Sequence, residues 1–503
     1  MPTCNICTQL GIECSYPTRR GEKNNSGAEA QTATPTAQAP VGPVNSFSYS
    51  PRELDPVSVS GAAAAVSFIA PEVFRQAELT LPQPKPPIPT EVTTQIGDVS
   101  SIRDMATTFF KTVHVWMPII SKKRFFIHAL NPLSQRGPDR SLLILCMKLC
   151  CTPPSNDNDD GRSPIYRAAK RFHFEVEAAG VLSIHVLQAT LLIAIYEMGH
   201  GIYPAAFLTV GACARYGMAL GIHSLNQDSV EDEERQRPWM DSEEVRRAWW
   251  AVMVLDRLLN ITNPVRWLSI DDPTYDTLLP VDDKAWDQGT TSHAGAVPLS
   301  AGFDIEMGLF ARIAQATHLV SQALHVTSSS LSAAGRSAAL VDETAQLRRT
   351  ILALVQTADK EAAVRQLEYC PQSSICFSAL LLLQAHNTQT PAKDANDRTA
   401  KPAETLLPET EFVLKDLSRM AKRVCAEWDE SCANQVSLFL MLVVYQAASA
   451  ILRLSDGNPD DLTQEALDAL KDLLRRLAPR WRVAGIYLSI LASEEATAAM
   501  AAI

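Results

Sequence analysis

The stretch SEEVRRAWWAVMVLDR, residues 242–257, decides the fold because its apolar residues recur with helical spacing. The apolar stripe consists of Val245, Ala248, Trp249, Val252 and Leu255. This spacing places the five side chains on one face of a helix and predicts that this face is buried. Arg246 and Arg247 lie to the side of the stripe. Asp241 can cap the helix start, and Glu244 has the position of a capping-box partner.

Helical spacing continues in both directions from this stretch. From about Ser100 to the C-terminus, apolar residues recur at helical intervals with almost no strand-like alternation. Two upstream helices are predicted over residues 183–198 and 204–220. Glycines in the connection 199–203 permit a left-handed turn, and Pro204 favours the next helix start. We therefore expect an antiparallel helical hairpin here and an all-α fold for the body of the chain.

The C-terminal part shows the same pattern after a polar break. Residues 387–410 are rich in Pro, Lys, Asp and Thr, which predicts a long loop. Three or four helices follow, with apolar stripes at Val436, Leu440, Val443 and Val444, and at Leu467, Leu470, Leu473 and Leu474. The acidic, leucine-containing stretch 460–474 is either a surface helix or a segment that recruits coactivators.

Length and composition restrict the class of protein. The chain has 503 residues, 46% of them hydrophobic and 20% charged, which indicates a globular protein with a sizeable core. The net charge of -11 argues against a basic nucleic-acid surface over the whole chain, so any DNA binding is expected near the N-terminus. Neither a signal peptide nor a membrane-spanning apolar run is evident. These features predict a soluble intracellular protein.

Most of the eleven cysteines are expected to be free thiols in a reducing compartment. Cys146, Cys150, Cys151 and Cys213 lie in apolar helical runs, where cysteine usually acts as a small buried hydrophobic residue. No chemistry is predicted for these four.

Cys4, Cys7 and Cys14 have the spacing C-x2-C-x6-C and are the candidate metal ligands. Thiolates at such spacing can bind zinc, although a closed tetrahedral site needs four ligands and only three are present. The alternative is an accidental or surface thiol pair. A short basic run, Arg19, Arg20 and Lys23, either contacts phosphates or is an ordinary solvated tail.

The cysteine run resembles the second half of the fungal zinc binuclear cluster, in which six cysteines hold two zinc ions. The resemblance implies that Cys4 bridges the metals and that Cys7 and Cys14 are terminal ligands. The first half of that cluster, which carries the basic DNA-reading helix, would precede Pro2, whereas the sequence begins at Met1. Either the true start lies upstream or the reading helix has been lost.

The body resembles the middle homology region of fungal zinc-cluster transcription factors. Residues 109–125, 188–223 and 243–257 carry the resemblance, and Asn263–Trp267 departs from it, because the family often has a Gly-Arg-Pro turn there. The predicted divisions are a partial zinc cluster at 1–23, a disordered proline-rich linker at 24–95, a helical regulatory domain at 96–386, a loop at 387–410 and C-terminal helices of the same body at 411–503.

The resemblance implies a nuclear transcription factor for RNA polymerase II genes, such as those of a fungal secondary-metabolite cluster. It implies zinc as cofactor, DNA as partner through a complete N-terminal cluster, a possible homodimer, transcriptional coregulators and a possible small-molecule effector, without a membrane role. The alternative is a regulator that lacks direct DNA binding and acts through protein partners or an effector.

Polar residues of the body are interpreted structurally. Arg246, Arg247, Asp256 and Arg257 are expected to form an ion-pair network that links helices. His200 and His223 lie at predicted helix ends, where histidine commonly caps carbonyls. The acidic runs Asp282-Asp283 and Glu231 to Glu234 are interpreted as solvated loop charge. The sequence contains no HExxH, GxSxG, P-loop or Rossmann motif, so no catalytic residue and no enzyme activity are predicted.

Overall fold

A computed structural model describes residues 56–77, 79–129, 136–154, 160–222, 239–290, 296–332, 338–365, 371–388, 406–429, 432–455 and 460–501. The chain forms two compact units, Met1–Pro82 and Gln83–Ile503. All described residues of the body predicted from the apolar pattern belong to the second unit.

The described part of the first unit contains helices α1, Pro56–Ile69, and α2, Pro71–Gln76. Both lie inside the range 24–95, for which composition predicts a linker. The run of four alanines at residues 62–65 explains α1, because alanine has the highest helix propensity. Pro71 suits the first position of α2, where no backbone N–H is required.

The described part of the second unit contains seventeen helices. The first eight are α3 (Thr90–Ile96), α4 (Val99–Lys111), α5 (Val113–Trp116), α6 (Lys122–Ala129), α7 (Pro138–Cys151), α8 (Pro164–Ala178), α9 (Ile184–Gly199) and α10 (Ala205–Ala219). The next five are α11 (Trp239–Ile261), α12 (Asp283–Gln288), α13 (Leu309–Ser332), α14 (Ala338–Arg365) and α15 (Pro371–Thr388). The last four are α16 (Pro408–Ala426), α17 (Leu438–Leu454), α18 (Asp461–Leu477) and α19 (Arg482–Ala501), with a 3-10 turn at Cys432–Asn434.

The predicted all-α fold is confirmed. Across the described ranges the regular elements are helices, and the extended pairing is limited to one isolated bridge between Leu278 and Pro298. Within those ranges, none of the helices combines the length and the apolar character needed to span a lipid bilayer.

Helix α9 lies at the centre of the second unit. Every residue from Val186 to Gly199 is buried, and α9 packs against α7, α8, α10, α11, α17 and α19. A helix surrounded by other helices has no solvent face, which is why its sequence is apolar almost all round. The C-terminal helices therefore belong to the same packed body as the helices of the middle of the chain.

The predicted hairpin of α9 and α10 is confirmed within one or two residues. Ser183 caps α9 by accepting a hydrogen bond from the Val186 N–H, and Gly201 adopts the left-handed conformation with φ of 66°. Gly199 has a second role, because its missing side chain makes room for the ring of Trp481. Trp481 precedes α19, so this glycine allows the C-terminal helices to dock.

The start of α11 differs from the prediction. The helix begins at Trp239, upstream of Asp241 and Ser242, so Asp241 is not the N-terminal cap. The predicted capping-box role of Glu244 was also wrong, because its carboxylate bonds to groups of other segments. Of the predicted apolar stripe, Ala248, Val252 and Leu255 are fully buried, whereas Val245 and Trp249 are partly buried and pack against the core.

Candidate regulatory site

The candidate zinc ligands Cys4, Cys7 and Cys14 lie outside the described residues, as do His223 and the acidic run Glu231 to Glu234. Among the residues that the structure does describe, no cluster of three or more His, Cys, Asp and Glu side chains is placed to hold a metal ion. The site that can be built from the structure is therefore the charged network around α11.

Arg247 is the hub of this network and is completely buried. Its Nε donates to Glu243 Oε1 at 2.7 Å, and its Nη1 donates to Asp283 Oδ1 at 2.7 Å. Nη2 donates to the Val281 carbonyl at 2.7 Å, and the guanidinium carbon lies 4.0 Å from the centre of the Trp286 ring. Burial opposes the charge, but Asp283 and Glu243 raise the pKa of Arg247 above its ordinary value.

Both carboxylates that hold Arg247 are themselves satisfied. Glu243 Oε1 also accepts the Val281 N–H at 3.0 Å, and Asp283 Oδ2 accepts the Phe310 N–H at 3.1 Å. The interpretation of Asp283 as solvated loop charge was therefore wrong, because its side chain is an anchor of the network. Asp282 has a different role, since it caps α12 by accepting the Ala285 N–H at 2.9 Å.

Glu244 forms a second centre on the neighbouring face of α11. Its Oε1 accepts the Ser121 N–H at 3.1 Å and the Gln188 amide at 3.0 Å, and its Oε2 accepts from Arg124 at 2.9 Å. Gln188 also donates to the Ile119 carbonyl at 2.7 Å. Glu244 thus ties the segment before α6, and α6 itself, to both α9 and α11.

Arg257 forms a separate cluster near the C-terminal end of α11. It donates to Ser321 Oγ at 2.8 Å, to Asp256 at 2.7 Å and to Asp272 at 2.7 Å, and its own side chain is buried. The expected ion-pair network is therefore confirmed, as separate clusters around Arg247 and Arg257. A buried guanidinium with complete partners is typical of a structural element that sets the relative position of helices.

A cleft opens beside Glu244, between α6, the start of α7, the start of α9 and the start of α11. Ile120, Phe125, Leu143 and Ile144 form its buried apolar floor. Arg124, Arg136, Arg140, His128 and His185 supply its basic side chains. Glu244 is the residue of the α11 network that lines this cleft.

His200 follows α9 as its C-terminal cap residue and is completely buried. Neither of its ring nitrogens has a hydrogen-bond partner among the described residues, so the ring does not cap carbonyls as its position suggested. The ring packs between Tyr196, at 4.2 Å between centroids, and Trp481, at 5.7 Å. Burial, with the positive charges of Arg480 and Arg482, lowers the pKa of His200 to about 3.

The four helical cysteines are small hydrophobic residues, as predicted. Cys146, Cys150 and Cys213 are buried, and burial raises the pKa of each thiol above its ordinary value. Cys151 is partly buried and its pKa is raised to about 11 for the same reason. Thiols in this state are poor nucleophiles.

Comparison with known proteins identifies the domain that contains these clusters. Residues 106–350 match the family model described as "Fungal specific transcription factor domain". The chain is also 37% identical over 181 residues to "Transcription factor BOA15" of Botryotinia fuckeliana, which covers 36% of this chain and 97% of that protein. The chain belongs to this fungal transcription factor family. The prediction of a transcription factor rather than an enzyme is confirmed.

Two further relatives match this chain over part of their own length. "Citrinin biosynthesis transcriptional activator mrl3" of Monascus ruber is 23% identical over 318 residues, 57% of this chain and 61% of that protein. "Pigment biosynthesis transcriptional activator pigB" of Monascus ruber is 26% identical over 196 residues, 37% of this chain and 35% of that protein. The chain thus spans less than two thirds of these two relatives. No solved structure matches the chain.

The clusters of α11 and the cleft lie within the matched region of this transcription factor. The arginines of the network were predictable from the sequence, whereas Gln188, Asp283 and Arg124 were not predicted as their partners or neighbours. The adjacent glutamates Glu243 and Glu244 could have indicated these partners. Two carboxylates inside an apolar helix require two sets of hydrogen-bond or charged partners when they are buried.

Proposed function

We propose that this transcription factor acts in the nucleus and controls the genes of a fungal secondary-metabolite cluster. The observation that carries the proposal is the match to family members whose names describe transcriptional activators of citrinin and pigment biosynthesis. The family model matches residues 106–350 of the helical body, which in this chain is a packed domain with buried charge clusters. Such a body suits a regulatory module that responds to partners or ligands.

Direct contact with DNA is assigned to the N-terminal segment. Cys4, Cys7 and Cys14 supply three thiolates, the ligands that zinc prefers in closed structural sites, and the family resemblance supplies the expectation of a binuclear cluster. Arg19, Arg20 and Lys23 follow and can contact phosphates. The net charge of -11 supports a local DNA contact, because the chain as a whole repels the DNA backbone. Dimerisation and coregulator binding belong to the same proposal.

Deletion of the gene tests the regulatory role. Transcripts of one contiguous set of biosynthetic genes, together with its product, should be lost in the deletion strain and restored by the wild-type gene. Unchanged transcripts for every such gene set, under conditions that induce them in the parent strain, would refute the proposal.

Complementation with a Cys7→Ser variant tests the DNA contact. Loss of one thiolate should abolish promoter occupancy in chromatin immunoprecipitation while the protein level stays normal. The matched control is Cys425→Ser, a partly buried cysteine in α16 that has no role in the proposed zinc site. Normal occupancy by the Cys7→Ser variant would instead favour the regulator without direct DNA contact, recruited by a protein partner.

A further inference from the structure

Among the described residues, the arginines with almost completely buried side chains are Arg247, Arg257, Arg312 and Arg480. Each of the first three forms an ion pair with at least one carboxylate, at N–O distances of 2.7 Å. Arg480 differs, because no described carboxylate lies within ion-pair distance of its guanidinium. A buried charge without an opposite charge is costly, so this arginine requires an explanation.

Arg480 lies just before α19, and its hydrogen-bond partners are uncharged. Its Nε donates to Asn434 Oδ1 at 2.9 Å, and its Nη2 donates to the carbonyl of Cys150, near the end of α7. The guanidinium carbon lies 4.1 Å from the centre of the Trp481 ring, which is a cation–π contact. Nη1 is buried and has no hydrogen-bond partner among the described residues. One face of the guanidinium group therefore has donors without an acceptor.

The thiols of Cys150 and Cys151 are close enough to feel the charge of Arg480, but they do not balance it. Burial raises the pKa of Cys150 well above its ordinary value and that of Cys151 to about 11, so both thiols are neutral. Burial also lowers the pKa of Arg480 from its ordinary value of 12.5, but a guanidinium stays protonated in proteins. The described side chains around Arg480 thus leave one positive charge unbalanced.

His200 adds a second unused donor to the same region. Its ring is completely buried and lies 5.7 Å from the Trp481 ring between centroids. Burial, followed by the positive charges of Arg480 and Arg482, lowers the pKa of His200, so the ring is neutral and carries one N–H. Neither ring nitrogen has a described hydrogen-bond partner, and the backbone carbonyl of His200 already accepts from Arg482 at 3.1 Å. The region around Trp481 therefore has more donors and positive charge than acceptors.

We propose that a small monovalent inorganic anion, chloride, binds beside Nη1 of Arg480, where α7, the C-terminal end of α9 and the start of α19 meet. Chloride accepts the free N–H and supplies the one negative charge that the carboxylates supply to the other three buried arginines. A water molecule can accept the N–H but does not balance the charge. Phosphate is disfavoured, because its further charge and oxygens would be buried without partners.

The bound anion would strengthen the attachment of the C-terminal helices to the middle of the chain. Arg480 connects Asn434, which precedes α17, to the Cys150 carbonyl of α7. An opposite charge at Nη1 offsets the cost of burying the guanidinium at this junction. This inference goes beyond the regulatory function proposed above and does not rest on it.

The melting temperature of the purified full-length chain tests the proposal. Sodium chloride replaces sodium gluconate at constant ionic strength, so that the screening of surface charges does not change. Gluconate is too large for a buried site of this kind. Chloride should raise the melting temperature in a saturable way, by at least about 2 °C, because it binds only the folded protein. Equal melting temperatures in the two salts would overturn the proposal.

Arg480→Met removes the proposed anion ligand. The variant should melt at the same temperature in chloride and in gluconate, whatever its own stability. The matched control is Arg312→Met, which removes a buried arginine that already pairs with Glu361 and should keep the chloride response of the wild type. A wild-type chloride response in Arg480→Met would overturn the proposal.

Crystals of the wild-type protein grown in sodium bromide locate the ion directly, even if Arg480→Met does not fold. Bromide has the charge of chloride and nearly its size, and its anomalous scattering distinguishes it from water. An anomalous peak is expected in hydrogen-bonding contact with Nη1 of Arg480. A water molecule at Nη1, with bromide bound elsewhere only or not at all, would overturn the proposal.

Discussion

Arg247 and Asp283 are separated by 36 residues in sequence, yet the Nη1 and Oδ1 atoms of their side chains lie 2.7 Å apart. The contact joins the middle of the long helix α11 to the first residue of α12. Glu243, one turn before Arg247, completes the arrangement from within α11. Three charges thus replace apolar packing at the point where two helices and the segment 278–281 meet.

Arg247→Met is expected to destabilise the protein by about 3–5 kcal/mol, because it removes the buried cation between Glu243 and the partly buried Asp283 and leaves Arg246 as the remaining cation beside Glu243. The free energy of unfolding from urea denaturation measures this. Arg419→Met is the matched control, since the side chain of Arg419 is 71% exposed and its pair with Asp416 is worth less than about 1 kcal/mol. Equal effects of the two substitutions would show that the buried network does not hold the helices together.

Part of this arrangement was predictable from sequence. Helical spacing placed Ala248, Val252 and Leu255 on the buried face, since the period of an α-helix depends only on local geometry. The burial of Arg247 was not predictable from that pattern, because its partners at Val281 and Asp283 come from a distant segment. From sequence alone, a charged side chain is expected to be exposed unless a partner for it is known.

The predictions of the start of α11 and of the role of Asp283 were wrong, because both depend on contacts with distant segments. Asp241 and Glu244 have the residue types of a capping box, yet α11 starts at Trp239 and Glu244 bonds to Ser121 and Gln188. A carboxylate can cap a helix or pair across helices, and only the tertiary contacts decide between the two. The cleft was likewise invisible in sequence, because its basic residues come from three separate stretches.

Gly199→Ala should destabilise the protein by about 1–3 kcal/mol, although alanine is the better helix former. A methyl group at Gly199 would overlap the ring of Trp481. That ring is fully buried, and its Nε1 donates to the Ala433 carbonyl at 3.3 Å, so it has no room to move. Denaturation curves measure the loss.

Gly211→Ala in α10 is the matched control for this substitution. Apart from the local backbone of α10, no atom lies within 4 Å of the position that its new methyl group would occupy. The change should therefore stabilise the protein by about 0.5–1 kcal/mol through helix propensity alone. Effects of the same sign at Gly199 and Gly211 would refute the proposed role of Gly199 in docking Trp481.

Acid should destabilise the protein through His200. The pKa of His200 is lowered from 6.5 to about 3 in the folded state. Between these two values the unfolded chain binds a proton at His200 and the folded protein does not. Stability from this group is fully present above pH 6.5 and is lost as pH falls from 6.5 toward 3. The expected loss is about 1.4 kcal/mol per pH unit inside this window.

His200→Phe removes the titrating group while it keeps an aromatic ring between Tyr196 and Trp481. We expect the free energy of unfolding of the variant to fall less than that of the wild type between about pH 6.5 and about pH 5.5, by about 1 kcal/mol. Urea denaturation at a series of pH values gives both slopes. Parallel curves for the two proteins would show that the pKa of His200 is the same in the folded and unfolded states, which contradicts the prediction.

Substitution of the leucines of α18 distinguishes a structural role of residues 460–474 from a role in coactivator recruitment. Leu467, Leu470, Leu473 and Leu474 are completely buried, whereas Leu462 is 77% exposed. Leu470→Ala should destabilise the protein by about 2–5 kcal/mol and lower its level in cells, because it leaves a cavity in the core. Leu462→Ala should change the free energy of unfolding by less than about 0.5 kcal/mol and leave reporter transcription unchanged. If Leu462→Ala instead abolishes reporter transcription at normal stability, the exposed face of α18 recruits a coregulator.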